Sequence, residues 1–127
     1  MKAERKSLFR VGSSRRDLKE FPDEVQDVVG YVLDIAQQGK KHRDAKPLSE
    51  YGGASILEIA EDHDGDTYRA VYTVSFEGVI YVLHAFQKKS KKGIATPKPD
   101  LDLIKARLKQ AEEHDAEWSQ KKKGSHG

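Results

Sequence analysis

Val79-Ile80-Tyr81-Val82-Leu83-His84-Ala85-Phe86 is largely apolar on both of its alternating faces, the pattern of a strand covered from two sides in the middle of a sheet. Two strand-like runs precede it, Ile56 to Glu61 and Thr67 to Ser75. The connections Asp64-Gly65-Asp66 and Phe76-Glu77-Gly78 are both hairpin signals, so the three runs predict an antiparallel meander. In the second run Arg69, Val71 and Thr73 share one face, and Tyr68, Ala70, Tyr72 and Val74 share the other. The third run leads without a linker into Gln87-Lys88-Lys89-Ser90-Lys91-Lys92-Gly93, four lysines within five positions. Ammonium groups crowded on a scaffold repel one another, so the cluster makes sense as a receptor for a polyanion, of which nucleic acid phosphate is the commonest. The competing reading is a solvated loop that only aids solubility.

Ahead of the meander, Lys6 to Val11 reads as an edge strand ending at Gly12, and Ser13-Ser14 offers an N-cap to a short helix. Pro22 opens a second helix whose apolar stripe is Val25, Val28, Val29, Val32 and Ala36, ending at Gly39. Lys40 to Gly53 reads as a charged loop. After Pro97 and Pro99, Asp100 can cap a last helix through Leu101, Ile104 and Leu108. The expectation is one α+β domain over residues 1–115, in the order β-α-α-β-β-β-α. Its small, mostly antiparallel sheet has both N-terminal helices on one face, and residues 116–127 are expected to form a polar, flexible tail.

The 127 residues are enough for one core. At 36% hydrophobic and 35% charged the chain is polar, yet its apolar residues cluster in periodic segments, which favours an ordered domain. Lys plus Arg (23) nearly balances Asp plus Glu (21), so only the local distribution of charge points to a polyanion. Residues 86–98 hold lysines and no acid, while residues 58–66 hold acids and neither lysine nor arginine. Without cysteine there is no disulfide framework and no thiolate chemistry. No run approaches the roughly 20 apolar residues of a membrane span, and the N-terminus shows no signal-peptide pattern, so a cytoplasmic protein is expected.

The residues Tyr68-Arg69-Ala70-Val71-Tyr72, Ile80 to Ser90 with its Phe-x-Lys-Lys-Ser element, Thr96-Pro97 and the helix from Asp100 carry a resemblance to a known family. Together with Pro47-Leu48 and Leu57-Glu58, they make the chain similar to the RelE/ParE toxins of toxin–antitoxin modules, and within them to the phage Gp49-like, HigB-type branch. One departure is Ala60, where that branch commonly has an arginine two residues beyond the glutamate matched to Glu58. The resemblance implies a RelE-like fold and a metal-independent endoribonuclease that cuts mRNA, on the ribosome or free, and so inhibits translation. It also implies neutralisation by an antitoxin, usually a helix-turn-helix protein of HigA type. A non-catalytic toxin of the gyrase-poisoning ParE kind, or a phage-derived nucleic-acid-binding protein, is the alternative on the same scaffold.

Cleaving RNA without metal needs a group to take the 2′-OH proton, cations at the phosphorane oxygens and a proton donor for the departing 5′-oxygen. The candidates for catalysis are Arg69, Lys88, Lys89, Glu58 and His84. Arg69 can present a planar fork to a phosphate from a rigid strand, Lys88 or Lys89 can act as acid or base, and Glu58 or His84 is the conventional base. Lys91, Lys92 and Lys98, with Arg69, are candidates for holding RNA phosphate. Each has a plainer reading: Arg69 pairing with Glu58 or another acid, His84 as a hydrogen-bonded core histidine, Tyr72 and Tyr81 as packing, Trp118 docked on the core or on a partner. Asp62-His63-Asp64-Gly65-Asp66 lacks the glycine position and closing glutamate of a calcium loop, and the five histidines show no ligand spacing. No metal or cofactor is expected.

Overall fold

In a computed structural model, which describes residues 5–48, 55–88 and 96–124 with side chains through residue 119, the doubly apolar run lies inside the sheet. The elements are β1 (Ser7–Arg10), α1 (Ser14–Lys19), α2 (Asp23–Gln37), β2 (Lys46–Pro47), β3 (Ile56–His63), β4 (Asp66–Thr73), β5 (Val79–Lys88) and α3 (Lys98–Gly124). The sheet order is β1-β5-β4-β3-β2, with β1 parallel to β5 and every other pair antiparallel. The architecture is the expected α+β one, a small RelE-like fold. Inside the expected Lys40–Gly53 loop, Lys46–Pro47 adds a two-residue edge strand; the end of a sheet is where a proline, having no N–H, is tolerated.

Each face of the sheet has its own helical cover. On one, Val25, Val29, Val32, Leu33 and Ala36 of α2 pack with Tyr72, Ile80, Val82 and Ala85. On the other, Ile104 and Ala111 of α3 pack with Val71, Val79, Tyr81 and Leu83. Burying each of the larger side chains removes apolar area worth about 1.5–3 kcal/mol, which explains why β5, covered on both sides, carries so few polar residues.

Strict alternation along β5 breaks once. Val71 pairs with His84 but Tyr72 pairs with Val82, leaving Leu83 as an extra residue in a β-bulge. Before the bulge, Ile80 and Val82 face α2. After it, His84 is paired with Val71 and so faces α3, with Phe86 and Lys88 following on the same side.

The last helix runs antiparallel to β5, with Asp100 beside His84 at one end and Trp118 against Gly78 at the other. It continues through Gly124, where a frayed tail after Asp115 was expected. Trp118 joins the α3 side of the core, so residues just beyond Asp115 gain burial that their composition does not advertise. Asp100 lies within the first turn of α3 and directs its carboxylate to His84, where a capping role was expected.

Candidate functional site

Cross-strand pairing places side chains in rows, and three successive rows on the α3 face hold four of the candidates, Glu58, Arg69, His84 and Lys88. Glu58, Val71 and His84 form one row, Ala60, Arg69 and Phe86 the next, and Asp62, Thr67 and Lys88 the third. Glu58 on β3, Arg69 on β4 and Lys88 on β5 therefore lie on a diagonal across three neighbouring strands, each one row, roughly 7 Å of strand, beyond the last. The bulge at Leu83 is what makes this so. With unbroken alternation His84 and Lys88 would face α2, on the opposite side from Arg69.

Arg69 is buried in mid-strand, and its Nη1 donates to Glu58 Oε2 at 3.0 Å. The pair is the cross-strand ion pair expected from plain sheet packing, and the same contact holds the guanidinium in place beside the carboxylate. Glu58 retains some exposure and Ala60, next to Arg69 in its row, is exposed, so this end of the face opens to solvent beside β3. Lys88 is buried as well. Lys98, in the first turn of α3, is exposed and bonds Asp102 at 3.0 Å. Lys89, Lys91 and Lys92 lie outside the described residues.

His84 sits at the joint between β5 and α3. Its Nε2 lies 2.7 Å from Asp100 Oδ1, its ring stacks on Phe86 at 4.7 Å, and its Nδ1 lies 3.5 Å from Arg107 Nη1. A guanidinium only donates, so Nδ1 must accept, which assigns the N–H to Nε2 facing the carboxylate. Arg107 is buried too, donating to Leu83 O at 3.0 Å and Ser13 Oγ at 2.9 Å; Ser13 Oγ in turn donates to Asp17 Oδ2 at 2.8 Å. Burial lowers the Arg107 guanidinium from its ordinary value, while the charge of Asp17 opposes that effect. A buried cation is thus linked to two carboxylates, to Asp17 through Ser13 and to Asp100 through His84, and α1, β5 and α3 are tied together at the edge of the candidate site. In this arrangement His84 fixes the start of α3, and Glu58 is the carboxylate next to the guanidinium.

Asp100 was read from sequence only as a helix cap, and Arg107 was not singled out at all. The available signal was positional: Asp100, Ile104, Arg107 and Ala111 fall at i, i+4, i+7 and i+11, which puts two charged residues on the buried stripe of α3. Tyr72 and Tyr81 are packing residues, wholly buried. Burial first, and then the charge of Asp115, pushes the Tyr81 phenol up to about 12, and its oxygen lies 2.7 Å from His114 Nδ1. Among the described residues no three His, Asp or Glu side chains gather as metal ligands, and no helix is long and apolar enough to cross a membrane.

Residues 16–109 match a family model described as phage derived protein Gp49-like (DUF891). No curated protein matches the chain.

Proposed function

The chain belongs to the Gp49-like family of phage-derived proteins, the family of the RelE/HigB-like toxin branch, and from that premise we propose that it is a toxin that cleaves mRNA without a metal ion. The observation that carries the reading is the diagonal Glu58, Arg69, Lys88 on one face of the sheet. In-line transfer at phosphorus needs proton acceptor and proton donor on opposite sides of the scissile phosphate, with positive charge between them. Glu58 and Lys88 flank Arg69 in that sense.

In this mechanism Glu58 takes the 2′-OH proton and the 2′-oxygen attacks the adjacent phosphorus. The phosphorane charge is held by the Arg69 guanidinium. The P–O5′ bond breaks, the 5′-oxygen receives a proton from Lys88 or from Lys89, and the products end in a 2′,3′-cyclic phosphate and a 5′-hydroxyl. His84 acts through Asp100 by positioning α3, whose N-terminus and Lys98 add positive potential beside the phosphate path. Lys91 and Lys92 are further candidates for holding RNA phosphate. An antitoxin of helix-turn-helix type is the expected partner, covering or displacing these groups.

Primer extension on cellular mRNA after induction tests the proposal. Cuts at defined positions within reading frames are expected, and they should vanish when Arg69 is replaced. Growth arrest with uncut mRNA would instead assign the chain to the non-catalytic toxins.

A further inference from the structure

The outer edge of β1 carries a second surface, unrelated to the Arg69 face. The bonds from Ser7 N to Gly78 O and from Val11 N to Val82 O direct the odd-numbered residues of this strand toward β5. The N–H and C=O of Leu8 and Arg10 then point away from the sheet, and among the described residues no backbone group meets them. At the start of the strand the edge is already closed, because Lys6 N donates to Gln37 O and Gln37 Nε2 donates to Lys6 O. Beside the open part lies a groove of about 330 Å³ between β1, α1 and α2. Leu8, Leu18 and Val29 supply its apolar lining, and Arg10, Arg15 and Lys19 its cations. Its one acid, Asp34, is already paired with Arg5.

Gly30 is the observation that gives this groove meaning. It lies within α2, where glycine costs about 1 kcal/mol relative to alanine, and a Cβ built on it meets nothing within 4 Å. The fold gives no reason for the missing side chain. It does line the groove, together with Leu8 and Arg10 of β1.

We propose that an extended, acidic segment of a partner protein adds to the free edge of β1, exchanging hydrogen bonds with Leu8 and Arg10 and passing over Gly30. Edge addition takes its affinity from main-chain bonds and its selectivity from alternate side chains, here carboxylates against Arg10, Arg15 and Lys19. A second copy of this chain does not fit, since it would bring the same three cations against themselves. The inference does not depend on the catalytic reading.

The test titrates the full-length, ¹⁵N-labelled protein with a blocked hexapeptide of alternating valine and glutamate, and in parallel with its valine–lysine counterpart. The acidic peptide should bind, slow amide exchange at Leu8 and Arg10, and leave Arg69 unaffected. Gly30→Leu, which fills the groove from an unobstructed position, and the exposed charge reversal Arg15→Glu should each weaken binding about tenfold or more. Gly30→Ala should fold at least as well as the parent, separating occlusion from misfolding. Equal binding of the lysine peptide, absence of binding, or indifference to Gly30→Leu would overturn the proposal, as would a dimer that Gly30→Leu dissociates.

Discussion

Arg69→Ala removes a buried guanidinium and leaves Glu58 without its 3.0 Å partner. A charge-assisted hydrogen bond is worth about 1.5–3 kcal/mol, and stranding the carboxylate adds less than it would in a sealed core, because Glu58 is still 18% exposed. The expected loss is therefore about 2–3 kcal/mol. Against a typical domain stability of about 5–15 kcal/mol the variant remains folded, with a urea midpoint lower by roughly 1 M. Glu58→Ala should cost a similar amount, and the double variant should fall short of the sum by about 1 kcal/mol or more, the mark of direct coupling. Because Arg69→Ala affects stability and chemistry together, Arg69→Lys is the decisive variant. It keeps a cation beside Glu58 and should stay within about 1 kcal/mol of the parent, yet it loses the two-point grip on a phosphate, for which a fall in cleavage of about 10²-fold is expected. Urea unfolding measured alongside primer extension separates the effects. A soluble, folded Arg69→Lys protein that cuts mRNA at the parental rate would refute the assignment of Arg69 to the transition state. Additivity of Arg69→Ala and Glu58→Ala would refute the pairing itself.

The packing of α3 makes Trp118→Ala destabilising by about 2–3 kcal/mol, and Gly78→Ala destabilising as well, since the new Cβ would lie 2.9 Å from the indole; the emission of this sole tryptophan should shift to the red in Gly78→Ala. Tyr72 has a hydroxyl that is buried without a hydrogen-bond partner, so Tyr72→Phe should raise stability by about 1 kcal/mol in thermal or urea unfolding. Burial pushes the Tyr72 phenol up to about 12, as burial and Asp115 do for Tyr81. The folded state therefore holds these protons more tightly than the unfolded chain, so stability is fully present below pH 10 and falls as pH rises from 10 through 12. Tyr72→Phe should blunt that alkaline loss. Gly12→Ala should cost about 2 kcal/mol or more by chemical denaturation, because Gly12 has φ +58° and its Cβ would lie 2.9 Å from the Nε of an Arg107 already held by Leu83 and Ser13.

Period-two and helical patterns were sufficient to place β3, β4, β5 and α2, because burial of one face or both is written directly into residue order. The face shared by Arg69, Val71 and Thr73 was legible for the same reason, as was the pairing of Arg69 with an acid on a neighbouring strand. The family resemblance, carried by Tyr68-Arg69 and the Phe-x-Lys-Lys-Ser element, lay in the sequence too. Other features depended on contacts between residues far apart in the chain. The helical run of α3 to Gly124 depends on Trp118 finding Gly78, forty residues earlier, and the role of Asp100 depends on His84 across the joint. Most of all, simple alternation would put His84 and Lys88 on the α2 side of the sheet. One extra residue, Leu83, shifts the parity of β5 and brings them round to Arg69 and Glu58. A bulge arises where two strands must stay in register while each face keeps its own core, and that balance exists only when the whole sheet is assembled. Sequence therefore decided which residues are available for chemistry, and the tertiary structure decided that they share a face.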